Sequence, residues 1–293
     1  EMGMNHFREI ALLTEIAKPT LAVITNIGTS HIGNLGSREN ILKAKLEILE
    51  GMKKPKIIIN NDNDLLHKWY EENKEKIEIH TYGIENQSEI NAKDIEMNEN
   101  SSKFTVDINN KKVEIEVPVG GEHFIYNALC ATEVGKVLGL TEEQIKKGIK
   151  EFELTKKRMD IRTLQNGAIL INDSYNASYE SMSASINYLE NHNGTRKIAV
   201  LGDMFELGEY SKELHEKVGE TVAQKNIDIL ICSGEESKNI IKKVNEKNHK
   251  IKTILLNNNE EILKKLQEIL KEGDVVLVKA SNGMKFYEIC QKL

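Results

Sequence analysis

LAVITNIGTSHIGNLGSRENILKAKLEILEG, residues 21–51, reads as strand, loop and helix in succession. Its first eight residues are a β-rich apolar run ending in glycine, and a polar loop follows. The helix opens at Ser37, whose hydroxyl can cap free backbone N–H groups, and is expected to close at Gly51 through a left-handed exit. Ile41, Leu42, Ile48 and Leu49 mark its apolar stripe. Lys45 lies within that stripe, four residues after Ile41 and four before Leu49. Two readings stay open for it: a lysine whose stem packs on apolar surface while its ammonium reaches water, or a functional lysine. Lys43 and Glu47 fall on the opposite side, where a solvated i, i+4 ion pair is expected.

The alternation continues on either side of this stretch. KIIINNDND, 56–64, is a buried-strand pattern ending in turn residues. FTVDINNKKVEIEVPV, 104–119, alternates apolar and polar residues around Asn109-Asn110 and predicts a β-hairpin. Two helices follow, one over roughly 122–138 and one starting at Thr141 with Glu142 and Glu143 in its first turn. The charged EFELTKKR, 151–158, breaks the pattern and reads as a linker, dividing the chain into domains at 1–155 and 156–293. Beyond it, MDIRTLQNGAILIND predicts a hairpin about Asn166-Gly167. The apolar runs KIAVLGD, IDILICSG, KTILL and DVVLVKAS are spaced by helical segments. The fold class is therefore α/β, with a parallel, Rossmann-like sheet in the second domain.

Composition narrows the function classes. Forty basic against 46 acidic residues give a formal charge of −6, interspersed instead of massed, which does not support nucleic-acid binding. No apolar run approaches a membrane span and no signal-peptide pattern opens the chain, so a cytoplasmic location is expected. Cys130, Cys232 and Cys290 are odd in number and widely spaced, which favours buried thiols over a disulfide framework or zinc site. The chain opens on Glu-Met-Gly without an initiator methionine, and residues upstream are expected to have been removed.

Ligands of open α/β sheets bind beyond the carboxyl ends of strands, so polar residues at strand exits are the candidates. His31 stands in the loop after the first strand, as a metal ligand or acid–base group, or as a solvated loop histidine. Glu1 offers a carboxylate at the expected end of another strand, or is a surface glutamate. Asp173, Ser174, Tyr175 and Asn176 cluster after a strand, as site residues or as an Asx-type turn and helix cap. LGDMFELGEYSKELH, 201–215, puts Gly and Asp at another exit but lacks G-x-G-x-x-G, which disfavours a dinucleotide site. VKASNGM, 278–284, places Lys279, Ser281 and Asn282 at the last exit, or is a simple turn. Three such exits on one edge suggest a cleft.

EMGMNHFREI, NIGTSHIGNLGSRENILKAKLEI, GEHFIYNALCA, NDSYNAS, VLGDMFELGEYSKELH and VKASNGM, in this order, make nearly the whole chain resemble the Mur ligase family, most closely its members that add D-alanyl-D-alanine. The resemblance implies a partial central ATPase domain followed by a Rossmann-like C-terminal domain. It implies an ATP-dependent amide ligase of peptidoglycan precursor synthesis, serving cell shape and division. UDP-N-acetylmuramoyl-tripeptide and D-alanyl-D-alanine would be joined through an acyl phosphate by a monomeric enzyme. Cofactors would be ATP and two Mg²⁺. By the same resemblance Lys45 would be carbamylated, giving a carboxylate that organises the metal site. His31 would ligate the second Mg²⁺ and Glu1 the first. Asn127 would contact adenine, Arg158 and Asp173 nucleotide phosphate or ribose, with Tyr175 and Asn176 shaping that edge. Lys279, Ser281 and Asn282 would bind substrate.

The chain departs from the family pattern in three places. No G-x-x-G-K-[ST] phosphate loop occurs, nor the N-terminal UDP-substrate domain, so the chain is expected to be a fragment unable to complete ligation alone. SYNASY stands where the family often has S-Y-N-A-N-P. KASNGM stands for K-G-S-R-G-M, with Asn282 in place of an arginine that would contact a carboxylate or phosphate. The alternatives are another Mur-family amino acid ligase, separable by testing acceptors, and a noncatalytic binding protein on the same scaffold. An NAD-dependent oxidoreductase is opposed by the missing glycine fingerprint.

Overall fold

The apolar runs at 22–24, 56–60 and 78–83 pair as parallel strands in the computed structural model, which describes residues 1–293. The chain forms two units, Glu1–Phe152 and Glu153–Leu293. In the first, the elements run α1 (Glu9–Ala17), β1 (Ala22–Ile24), α2 (Ile32–Leu35), α3 (Arg38–Leu46), β2 (Lys56–Asn60), α4 (Asp64–Asn73), β3 (Glu78–Gly83) and β4 (Ile90–Asn91). They continue with β5 (Lys93–Met97), β6 (Ser102–Ile108), β7 (Lys111–Val117), α5 (Glu122–Val137) and α6 (Glu142–Lys150). Strands β1-β2-β3-β4 form one parallel sheet in that order, and β5-β6-β7 a second, antiparallel one. Ile57, Ile58 and Ile59 of β2 are all fully buried, as expected of a parallel strand covered on both faces. The hairpin turns at Asn109 and Asn110, whose φ values of 51° and 62° give the left-handed pair that a two-residue hairpin needs. Thr141 caps α6 in a reciprocal capping box with Gln144.

Two readings of the opening stretch are corrected. Ser37 does cap α3, accepting the Asn40 N–H at 3.2 Å, but the helix ends at Leu46 and tightens into a 3-10 turn, Glu47–Leu49. Gly51 is not in the left-handed region; it is glycine because a Cβ there would meet the Thr14 carbonyl oxygen at 2.3 Å. Glu47 is not a solvated partner of Lys43. It is 7% exposed, and its carboxylate accepts the backbone N–H groups of Arg8 and Ala11, filling the donors that the start of α1 leaves open. The periodicity of α3 alone could not reveal this, because α1 supplies the partners.

The second unit contains β8 (Asp160–Thr163), β9 (Ile169–Asn172), α7 (Tyr179–Asn191), β10 (Arg196–Gly202), α8 (Ser211–Ala223), β11 (Ile229–Ser233), α9 (Lys238–Lys247), β12 (Lys252–Leu256), α10 (Asn259–Ile269), β13 (Asp274–Lys279) and α11 (Tyr287–Lys292). Its sheet has the order β12-β11-β10-β13-β9-β8, parallel apart from the β8–β9 hairpin. One face packs against α10 and α11 in a core that includes Leu170, Val200, Ile231, Val276, Ile262 and Phe286. Strand residues of the other parity, among them Ala199, Leu201, Leu230 and Cys232, are also fully buried, and α7 and α9 contact the strands. All three cysteines are free, buried thiols. Burial pushes the thiol of Cys290 up to about 12.

Candidate functional site

Because β10, β13 and β9 are adjacent and parallel, their polar exit residues emerge along one edge of the second sheet. The Lys279 ammonium lies 2.6 Å from Asp173 Oδ2 and donates to the Asn176 carbonyl at 3.0 Å. Asp173 is further occupied by the Ser185 hydroxyl on Oδ2, at 2.6 Å, and the Met159 N–H on Oδ1, at 3.3 Å. Ser281 Oγ accepts the Phe205 N–H at 2.8 Å, and its own N–H donates to the Asp203 carbonyl at 3.0 Å. Lys279 and Ser281 are 2% and 3% exposed. Burial pulls the Lys279 ammonium below the ordinary lysine range, against the pull of the Asp173 carboxylate.

The exit residues thus divide in two. Asp173, Lys279 and Ser281 are interior, with their polar atoms engaged by the protein, and tie the three exits together. Arg158, Tyr175, Asn176 and Asn282 are exposed on the same unit. The Arg158 guanidinium stacks 4.1 Å from the centre of the Tyr175 ring, which presents its charge in a fixed orientation. A neighbouring exit residue, Asp203, accepts the Ser237 N–H at 2.7 Å, and Gly234 is glycine because a Cβ would lie 2.1 Å from Asp203 Oδ1. Sequence reasoning did not single out His215, which is fully buried. Its Nε2 accepts the Met204 N–H at 2.9 Å, which leaves the proton on Nδ1 for the Ser211 carbonyl at 2.7 Å. Burial holds its pKa below the ordinary histidine value.

In the first unit, Lys45 is half-buried in α3. It has neither hydrogen bond nor ion pair, and burial alone lowers its pKa. His31 precedes α2 in the left-handed region, at φ 62°, and is half-buried. Glu1 is exposed in irregular chain ahead of α1. Asn127, in the second turn of α5, is exposed and its side-chain amide makes no hydrogen bond within the protein.

Two further clusters were not legible in the sequence. Asp62, just past β2, accepts the N–H groups of Ile84, Glu85 and Asn86 and the Tyr126 hydroxyl. Burial favours the neutral form of Asp62, but those donors outweigh it and hold the carboxyl below its usual range. His80, Glu89 and Glu133 converge closely enough to suggest a metal site. However, the Lys136 ammonium stands 3.1 Å from a carboxylate oxygen of each glutamate and supplies the counter-charge itself.

Comparison with known proteins places both units in one lineage. The Mur ligase middle domain matches residues 1–135, and the Mur ligase, glutamate ligase domain matches residues 157–282. Over its whole length the chain is 35% identical to the UDP-N-acetylmuramoyl-tripeptide--D-alanyl-D-alanine ligase of Bacillus subtilis (strain 168), covering 63% of that protein. The Escherichia coli (strain K12) ligase of the same name is 32% identical across 81% of this chain and 52% of its own. Among solved structures, MurF from Acinetobacter baumannii superposes with a TM-score of 0.89 at 27% identity, over 99% of this chain and 63% of that one. MurF ligase from Thermotoga maritima in complex with ADP gives 0.85 at 28%, over 100% and 65%. The chain thus spans about 63% of the length of the Bacillus subtilis relative.

Proposed function

Since the chain belongs to the Mur ligase family, we propose that it serves an ATP-dependent ligase joining D-alanyl-D-alanine to UDP-N-acetylmuramoyl-tripeptide. The observation that carries this reading is the 35% identity, without a break in coverage of this chain, to a ligase of that name. In this reading residues 1–155 act as the ATP-binding domain and 156–293 as the C-terminal ligase domain. The tripeptide carboxylate attacks the γ-phosphorus of ATP, the bond to the bridging oxygen breaks, and ADP leaves an acyl phosphate. The amine of D-alanyl-D-alanine then attacks the acyl carbon, loses a proton and expels phosphate as the amide forms.

The roles follow from what each side chain has left to offer. Asn127 has a free amide, suited to the donor and acceptor edge of adenine. Arg158, exposed and stacked on Tyr175, suits a phosphate, with Asn176 beside it. Asp173, Lys279 and Ser281 are buried and already hydrogen-bonded within the protein, so they act by holding the strand exits in place, while Asn282 is left to face the acceptor.

For Mg²⁺, Glu1 offers a carboxylate and His31 an imidazole, but a lysine amine gives no oxygen ligand. The lack of any partner and the lowered pKa of Lys45 fit carbamylation: the neutral amine adds to carbon dioxide, a proton is lost, and a carboxylate results. Glu1, His31 and carbamylated Lys45 would then hold the ions, which when bound offset phosphate charge.

The test is phosphate release by the natural-length protein with ATP, Mg²⁺, UDP-N-acetylmuramoyl-tripeptide and each candidate acceptor in turn. Release that requires D-alanyl-D-alanine and yields the pentapeptide product is expected. Turnover with a different acceptor only would replace this assignment with another Mur-family ligase, and no turnover with any acceptor would favour a binding protein.

A further inference from the structure

The Asp62 carboxylate is the meeting point of three segments at the carboxyl edge of the first unit's parallel sheet. Asp62 follows β2 by two residues. Its Oδ2 accepts the N–H groups of Ile84 at 2.5 Å and Glu85 at 3.0 Å, and its Oδ1 accepts that of Asn86 at 2.7 Å, so the whole turn after β3 points its donors at one side chain. The fourth donor is the Tyr126 hydroxyl, 2.9 Å from Oδ2, which arrives from α5. Space is fitted to this arrangement: a Cβ on Gly83 would lie 2.9 Å from Asp62 Oδ1. Neighbouring side chains reinforce the turn, with Asn61 Nδ2 donating to the Gln87 carbonyl at 2.9 Å and Asn86 Nδ2 to the Asn61 carbonyl at 2.8 Å.

Tyr126 is the residue immediately before Asn127 in α5. A rigid body of helix separates neither from the other, so whatever fixes the Tyr126 ring also fixes the turn of α5 that presents the Asn127 amide. The carboxylate is needed for this and not merely a polar group of its shape. Four donors converge on two oxygens, and an asparagine would turn an N–H₂ toward them.

We propose that Asp62, through Tyr126 and the Ile84–Asn86 turn, is a positioning residue for nucleobase recognition: it sets the Asn127 amide against the purine edge and fixes the turn beside it. This rests on the reading of Asn127 as the adenine contact. Both Asp62 oxygens are engaged by the turn and by Tyr126, so its effect falls on nucleotide affinity and base discrimination and not on the chemical step.

The experiment compares KM and kcat for ATP and GTP in the natural-length protein and in Asp62→Asn, Tyr126→Phe, the double variant and Asn127→Ala. Asp62→Asn is expected to raise KM for ATP about tenfold with kcat changed by about twofold or less, and to shrink the preference for ATP over GTP by a similar factor. Tyr126→Phe, which keeps the ring and removes only the hydroxyl, should act in the same direction. The double variant should be no worse than Asp62→Asn alone, as expected of residues on one path. If Asp62→Asn and Tyr126→Phe lower the melting temperature but leave the ATP-to-GTP preference intact while Asn127→Ala abolishes it, the positioning role is wrong and the adenine assignment survives. If Asn127→Ala also leaves ATP binding and the preference unchanged, the adenine assignment itself falls and this proposal falls with it.

Discussion

Lys279 and Asp173 form an ion pair of 2.6 Å inside the second unit, joining the end of β13 to the exit of β9. Neither charge is solvated enough to stand alone, since the two residues are 2% and 9% exposed. Lys279→Met should therefore destabilise this unit by about 3 kcal/mol, because it strands a buried carboxylate. Adding Asp173→Asn should recover part of the loss, with a coupling of about 1 kcal/mol or more in a double-mutant cycle measured by urea unfolding. Simple additivity would show that the two charges are held independently.

Lys45, when unmodified, presents the opposite case, a half-buried cation with no partner to lose. Lys45→Met should stabilise the unmodified first unit by about 1 kcal/mol and, on the proposed reading, abolish ligation by the natural-length protein. The sign follows from the lowered pKa: the folded state disfavours the charged lysine, so the cost is full at neutral pH and fades as pH rises through the depressed pKa toward the ordinary lysine value. Thermal melts at pH 7 and pH 10 check this, with the gap between variant and parent narrowing at the higher pH.

Glu47 closes the start of α1 from a distant point in the chain. Glu47→Ala should cost about 2 kcal/mol, since it leaves the Arg8 and Ala11 N–H groups without acceptors. Hydrogen exchange at those two amides should accelerate together, whereas exchange in α5 should not change.

His215 makes the second unit sensitive to acid. Its Nε2 must stay unprotonated to accept the Met204 N–H, and burial lowers its pKa. As pH falls from the ordinary histidine value through the depressed one, the unfolded chain takes up the proton first and stability is lost. The melting temperature should fall between pH 7 and pH 5, and less steeply in His215→Gln, whose side-chain oxygen can accept the same N–H.

Asn282 is exposed, at the position where the resemblance to the family implies an arginine. Asn282→Arg should lower the KM for an acceptor carrying a free carboxylate by about tenfold, the worth of one charge-assisted contact. An amidated acceptor should gain nothing, and if both gain equally the contact is not to the carboxylate.

What the sequence reveals depends on whether a residue's partners are near it in the chain. The hairpins at Asn109-Asn110 and Asn166-Gly167, the Ser37 and Thr141 caps and the parallel strands are all local signals, and each forms as expected. Glu47 was misread because its partners lie in α1. Gly51 was misread because its constraint is the Thr14 carbonyl and not its own φ. At the strand exits the sequence singles out polar residues but cannot sort Lys279 and Ser281, which face inward, from Arg158 and Tyr175, which face out. Asp62 gave no signal at all: in NNDND it looks like any residue of a solvated turn, and only the arrival of residues 84–86 and Tyr126 sets it apart.

The place of β13 in the second sheet bears on how the chain is made. It sits between β10 and β9, yet it is the last strand of the unit to leave the ribosome. Until residue 274 and those after it emerge, β9 and β10 cannot be joined and the sheet exists as two pieces with exposed apolar edges. The same strand ends in Lys279, so the ion pair with Asp173 can form only when synthesis reaches that point. Completion of the sheet and assembly of the strand-exit edge are therefore a single late event, and a nascent chain stalled before β13 is the species most exposed to aggregation and to chaperone capture.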